Sequence, residues 1–180
     1  MTILETKRLI LRELRQSDVD SLFELDSNPK VHRYLGNKPI LKIEQAEEII
    51  TNIRKQYVDY SVGRWATIEK SSGEFIGWSG LKYITDSWNN KRNFHDVGYR
   101  FIPKYWGNGY ATESTKATLE YAFNTLELNE VFGTCHEKNL ASRRVLEKCG
   151  LKYIEKFIYK NEITCDWLII SKEEWENKEC

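Results

Sequence analysis

The chain has 180 residues, about one domain at roughly 150 residues each, and 41% hydrophobic with 13% aromatic side chains to fill a core. Its 27 basic and 27 acidic side chains cancel, which argues against a nucleic-acid coat, because such binding rests on an excess of Lys and Arg. Six Trp, ten Tyr and only three Pro exclude a disordered chain, no run approaches the roughly 20 apolar residues of a membrane span, and the opening MTILETKRLILREL lacks a signal peptide's apolar core. The expectation is one cytoplasmic domain over residues 1–180.

Residues 9–14 read as a first strand. Ser17 then offers a helix cap with Asp18 and Asp20 behind it, and Asn28-Pro29 stops that helix, because the residue before proline disfavours the helical region. Residues 43–60 carry apolar side chains at 3-4 spacing, with Glu44, Glu47 and Glu48 near the start and Arg54 and Lys55 nearer the end, as the helix dipole prefers. The period then changes to two: residues 64–70 and 75–84 form a hairpin about Ser71-Ser72-Gly73-Glu74, and residues 95–102 a third strand. After the loop 103–110 come a helix to Leu126, a strand 131–137, a helix 140–148 closed by Gly150, and an antiparallel pair, 151–159 and 163–170, around Lys160-Asn161-Glu162. This order predicts an α+β fold around one central sheet.

Cys135, Cys149, Cys165 and Cys180 include no CxxC, and His32, His95 and His136 share no ligand spacing, so no metal site is indicated. The cysteines read as reduced thiols. Cys135-His136 resembles a nucleophile and base, but neighbours on a strand point to opposite faces. The chemistry concentrates in GYRFIPKYWGNGYATE, residues 98–113, where a strand feeds a loop with two glycines and a helix begins at once. Unpaired N–H groups and a positive dipole end can converge there on a phosphate. The same two glycines also suit a tight strand-to-helix connection. Neither the Walker loop nor the full GxGxxG fingerprint is present, since Thr112 stands at the third glycine.

The segment Lys104-x-x-Gly107-x-Gly109-x-Ala111 resembles the Q/R-x-x-G-x-G/A signature of the GNAT acetyltransferases. Residues 98–113 are similar to the GYWL-P-x-x-x-GxGYATE form of the branch that acetylates ribosomal-protein N-termini. Residues 139–151, NLASRRVLEKCGL, resemble that branch's NxxSxxVxxKxGF, and residues 5–12 its ETxRLxLR. The resemblance spans about residues 5–170. It implies a GNAT fold, a mixed, mostly antiparallel sheet of about seven strands flanked by helices, and acetyl-CoA as co-substrate without a metal. Its departures are Lys104 for Gln or Arg, Leu151 for Phe, and Leu146 where many members carry the tyrosine that protonates the departing thiolate.

By the same resemblance the pyrophosphate lies on Gly107, Asn108, Gly109, Tyr110, Ala111 and Thr112, beside Lys104, and Phe101 and Ile102 offer backbone groups to the pantetheine, with the N–H near Ile102 as oxyanion donor. Asn139 bonds the pantetheine region or simply caps its helix. In a stretch of net +4 between Lys138 and Lys156, otherwise readable as a solvated helix face, Arg143 or Arg144 meets the 3′-phosphate. Asp96 is the candidate base, or else pairs with a neighbouring cation, and Ser142 supports the leaving thiolate. Trp78, Trp88 and Tyr99, with Trp65, are candidates to wall the acceptor pocket, although strand aromatics are more often core. The acceptor is an amine, on a peptide or a small molecule; neither nucleic acid nor membrane is expected as a partner, and a homodimer stays open. Two readings remain, an N-acetyltransferase and a non-catalytic acyl-CoA sensor, with a nucleotide-binding protein behind both.

Overall fold

The segments of period-two alternation all join one sheet. The structure, a computed structural model, describes residues 2–160 and 162–179. Among them are eight strands, β1 (Thr2–Glu5), β2 (Leu9–Arg12), β3 (Arg64–Glu69), β4 (Phe75–Ile84), β5 (Phe94–Phe101), β6 (Glu130–His136), β7 (Lys152–Tyr159) and β8 (Ile163–Ser171), in the order β1-β2-β3-β4-β5-β6-β8-β7. The helices are α1 (Val19–Asp26), α2 (Pro29–His32), α3 (Ile43–Tyr60), α4 (Tyr110–Glu120), α5 (Leu140–Cys149) and α6 (Lys172–Glu179).

Differences from the sequence reading fall at short elements. The eighth strand is β1, whose pattern is too short to announce it and which forms by pairing with β2. Asn28-Pro29 ends α1 as expected but also starts α2: the Asn28 carboxamide accepts the Lys30 N–H at 3.0 Å and Pro29 stands in the first turn. The helix read as reaching Leu126 is α-helical to Glu120 and continues as a π turn over Tyr121–Thr125. The last helix, α6, has no apolar stripe; Trp175 anchors it, its ring 5.7 Å from Phe123, together with Glu174, which lies 2.6 Å from Lys152 of β7 and accepts the Ser171 N–H at 3.0 Å. Asn161 of the last hairpin turn, and Cys180, lie outside the described residues.

Alternation along β5 assigns the two faces of the sheet. Val97 packs with Leu119, Phe123 and Leu146 on the side of α4 and α5. On the opposite side Ile102 packs with Leu22, Leu25, Ile50, Ile53 and Ala66, under α1 and α3. A further cluster of Phe94, Phe132, Phe157 and Trp167 fills the end of the sheet where β5 begins.

All neighbouring strands are antiparallel except β5 and β6. A parallel pair needs a crossover, and α4 supplies it. These two strands pair only at Asp96 with Phe132 and Val97 with Gly133. Past that point β5 runs on to Phe101 against β4, and β6 runs on to His136 against β8, so a gap opens between them.

Candidate functional site

The gap is bordered by the loop that the sequence singled out. Gly107 and Gly109 both have φ near +80°, which glycine adopts without strain. A Cβ would meet nothing at Gly107 and only the Arg8 guanidinium, at 3.5 Å, at Gly109. The glycines are therefore set by backbone conformation, and the space in front of them is open. Gly109 caps α4 without a side-chain acceptor, and the first helical bond runs from the Glu113 N–H to its carbonyl at 3.0 Å. The N–H groups of Tyr110, Ala111 and Thr112 are thus free of intrahelical partners, at the positive end of the dipole. This arrangement binds anions.

Side chains brace the loop from outside. The Asn108 carboxamide donates to the Tyr105 carbonyl at 3.2 Å, the Tyr110 hydroxyl bonds Glu69, and Lys104 is exposed, 3.7 Å from Glu74. Sequence reasoning missed Arg8. Its Nη1 donates to the Asn108 carbonyl at 2.9 Å, its Nε to Glu113 at 2.6 Å, and its guanidinium lies 4.5 Å above the Tyr110 ring. Burial pushes the Glu113 carboxyl up, but hydrogen bonds from Thr6 and Arg8 outweigh it and hold the group below its ordinary value. Arg8 stood inside ETKRLILR, but nothing local connects it to a loop 100 residues away.

Strand alternation decides which backbone groups face the gap. The Ile102 N–H donates to the Ile76 carbonyl at 3.0 Å, and its own carbonyl accepts the Tyr105 N–H at 2.9 Å. Ile102 is therefore closed on both sides and cannot serve as oxyanion donor or pantetheine partner, contrary to expectation. With Ile102 turned to β4, the intervening residues Tyr99 and Phe101 turn their main-chain groups to the gap. The Phe101 carbonyl accepts the Trp106 indole N–H at 2.7 Å from that side.

On the α5 side of the gap the Tyr99 hydroxyl lies 2.9 Å from Ser142 Oγ and donates to the Ser142 carbonyl at 3.1 Å. Tyr99 thus turns away from Trp78, and the two do not form one wall. Burial raises the Tyr99 phenol, so it stays protonated. The Asn139 carboxamide caps α5 by accepting the Ser142 N–H at 3.2 Å. Leu146 is core. Arg144 is exposed, whereas Arg143 is committed to Glu147 at 2.9 Å and Asp166 at 3.2 Å.

The opposite side of β5 is lined by charge. Asp96 is 4% exposed and ion-paired with Arg64, whose guanidinium also donates to the carbonyls of Gly80 and Asp96. Burial pushes the Asp96 carboxyl up and Arg64 pulls against it. Burial prevails and the carboxyl stands above its ordinary value, and of the two sequence readings of Asp96 the pair with a neighbouring cation is the one the contacts support. Gly98 makes room for the pair, since a Cβ there would stand 2.7 Å from Arg64. The Arg64 and Arg100 guanidinium carbons lie 5.4 and 5.0 Å from the Trp78 ring centre, and Arg100 pairs with Asp26 of α1 at 2.6 Å. Trp65 lies on the other face, edge-on to Tyr121. Trp88 packs at 4.8 Å on Tyr159 and 5.9 Å on Phe94, at the start of β5 and away from its glycine-loop end, so both leave the acceptor wall.

Cys135, Cys149 and Cys165 are buried, and Cys135, on the α5 face, is pushed up to about 12 chiefly by burial, which suits an inert thiol. Among the described residues no group of three or more His, Cys, Asp or Glu could hold a metal, and no helix is long and apolar enough to cross a membrane.

Comparison with known proteins gives a common outcome. The acetyltransferase (GNAT) domain profile matches residues 8–152. The uncharacterised N-acetyltransferase YoaA of Bacillus subtilis is 31% identical over 172 residues, covering 94% of this chain and 95% of its own length. An FsC-acetyl coenzyme A-N(2)-transacetylase of Aspergillus fumigatus is 32% identical, covering 87% and 68% respectively. The spermidine N-acetyltransferase of Vibrio cholerae, solved with CoA and spermine, superposes with a TM-score of 0.75 at 20% identity, over 96% of this chain and all of that one.

Removing Asp96 should strand Arg64 as a buried charge. Asp96→Ala is expected to lower stability by about 3–5 kcal/mol, the usual cost of breaking a buried pair from one side. Urea unfolding checks it; a loss under about 1 kcal/mol would show that Arg64 reaches solvent.

Proposed function

The chain belongs to the GNAT acetyltransferase family, and on that footing we propose that it moves an acetyl group from acetyl-CoA directly to a primary amine, as one acetyltransferase domain. The observation that carries this reading is the convergence of the uncapped start of α4, behind Gly109, with the stretch of the β5 edge at Tyr99 and Phe101 that β6 does not pair. The residues fit the co-substrate. Three N–H groups stand free for a pyrophosphate, and the β5 edge offers a pantetheine amide the pairing that β6 no longer supplies.

Bound acetyl-CoA supplies a thioester carbonyl and a thiol leaving group. The N–H groups from Gly107 to Thr112 hold the diphosphate. Tyr99 and Phe101 fix the arm as an added strand, and the Phe101 N–H replaces Ile102 as the donor to the carbonyl oxygen. Asn139 keeps the first turn of α5 at the gap and so fixes Ser142. Exposed Arg144 is the cation for the 3′-phosphate. On the far side of β5, Trp78 and Arg100 line the approach of the amine.

The proton for the thiolate is assigned to the Ser142 side. A thiol of ordinary pKa, about 8.5, leaves without full protonation, but a nearby donor lowers the barrier. A serine hydroxyl is too weak an acid to act alone. Its contact with the buried, protonated Tyr99 supports a paired role, in which the Tyr99 hydroxyl turns its one proton from the Ser142 carbonyl to Ser142 Oγ, and Ser142 donates to the sulfur or to a water beside it.

The reading is tested with a panel of amines and peptides, scored by CoA release and product mass; an enzyme that binds acetyl-CoA but acetylates no acceptor would be a sensor instead. Gly109→Val should abolish acetyl-CoA binding while the protein stays folded, because valine resists positive φ and fills the phosphate space. Unchanged affinity by calorimetry would move the phosphate site elsewhere. Ser142→Ala should lower kcat about tenfold to a hundredfold with acetyl-CoA affinity nearly intact, and Tyr99→Phe should act in the same direction and not add to it. An unchanged kcat, with chemistry rate-limiting, would hand the proton to solvent.

A further inference from the structure

The peptide unit between Asn108 and Gly109 has two orientations open to it. Reversing it changes only ψ of Asn108 and φ of Gly109, and glycine takes positive or negative φ about equally readily. The φ of Gly109 is near +80°. One contact fixes this choice. Arg8 Nη1 donates to the Asn108 carbonyl at 2.9 Å, and no other donor reaches that oxygen among the described residues. A planar trans peptide points its C=O and its N–H in opposite directions. With the carbonyl turned to Arg8, the Gly109 N–H points away from Arg8, and it too has no hydrogen-bond partner among the described residues.

Arg8 is itself held in place. Its Nε and Nη2 each lie 2.6 Å from Glu113 Oε2, and its main-chain N–H donates to Glu113 Oε1 at 3.0 Å and to Thr6 Oγ1 at 3.3 Å. The Thr6 hydroxyl donates to the same Glu113 Oε1 at 2.6 Å. Glu113 belongs to the first turn of α4, and Arg8 stands one residue before β2. The guanidinium, fixed to the helix by its fork and laid over the Tyr110 ring, thus reaches the glycine loop with its remaining arm. Its charge is matched by Glu113, so what it gives the loop is orientation more than attraction for an anion.

On the acetyltransferase reading, we propose that Arg8 is a positioning residue for acetyl-CoA: it turns the Gly109 N–H to the diphosphate, beside those of Tyr110, Ala111 and Thr112, and keeps the Asn108 carbonyl out of that space. In the reversed peptide a donor to the phosphate oxygens is lost and a carbonyl oxygen that repels them takes its place. Only the productive orientation then binds, and the apparent affinity falls by the fraction of molecules that hold it. The freedom that lets Gly109 open the loop is the same freedom that makes a clamp necessary. A hydrogen bond from a charged donor biases such an equilibrium by about tenfold to a hundredfold.

The test compares wild type with Arg8→Met, which keeps an apolar stem and loses the donors, with CoA as the probe. Calorimetry should give a Kd about tenfold to a hundredfold higher in the variant. In 15N-labelled wild type the Gly109 amide proton should move downfield as CoA binds, together with those of Tyr110, Ala111 and Thr112. In the free variant the Gly109 amide signal should broaden or move while the amides of α4 beyond Glu113 stay in place. A merely structural role would move the amides of α4 and β2 together, with no separate change at Gly109, and that result overturns the proposal. So does an unchanged Kd, or a wild-type Gly109 amide that ignores CoA while its helical neighbours respond; each leaves the acetyltransferase reading intact. Where Arg8→Met fails to fold, Arg8→Lys takes its place under the same outcomes, since lysine keeps the charge beside Glu113 and lacks the planar fork that spans to Asn108. Failure of wild type to bind CoA removes the reading itself and this proposal with it.

Discussion

Everything about the site follows from one interrupted pairing. The parallel contact of β5 with β6 lasts for two residue pairs and then ends, although both strands continue along other partners. An unpaired strand edge inside a sheet is costly unless something satisfies it, because its N–H and C=O groups point into the space the missing strand would fill. Here that space adjoins the first turn of the crossover helix, where three further N–H groups are unpaired. Parallel pairing forces the crossover, and the crossover brings a helix start to the gap. An antiparallel partner joined by a short turn would have given neither.

The two walls of the gap differ because alternation sends successive β5 side chains to opposite faces. The α4–α5 wall is apolar, relieved by the Tyr99–Ser142 pair. The other wall is charged yet locally balanced: Arg64 with Asp96 and Arg100 with Asp26, on either side of Trp78. Such buried charges are tolerable only when paired and further hydrogen-bonded, and Arg64 meets that condition through the carbonyls of Gly80 and Asp96. The balance leaves little net charge with which to attract a polycation.

Much of the fold was legible because it rests on periodicity. The 3-4 spacing of residues 43–60 and the period of two in residues 75–84 gave α3 and β4 with their ends in place, since each buries one face over many residues. Elements too short to show a period, β1 and α2, were not legible, and neither was α6, which carries no apolar stripe. In the site, the loop of Gly107 and Gly109 was legible because glycine followed by a helix start is a local signature.

The sequence by itself determined the α+β class, a helix start directly after the two-glycine loop and the family resemblance, because these depend on residue types at short, fixed separations. Only the tertiary structure decided which side chains meet. It gave Asp96 to Arg64, closed Ile102 against Ile76 and opened Phe101, turned Tyr99 to Ser142 rather than to Trp78, and brought Arg8 to the glycine loop. The physical reason is that strand register and sheet order set these contacts. A shift of one residue exchanges the two faces, and nothing within a single strand's pattern states which neighbour will stand beside it.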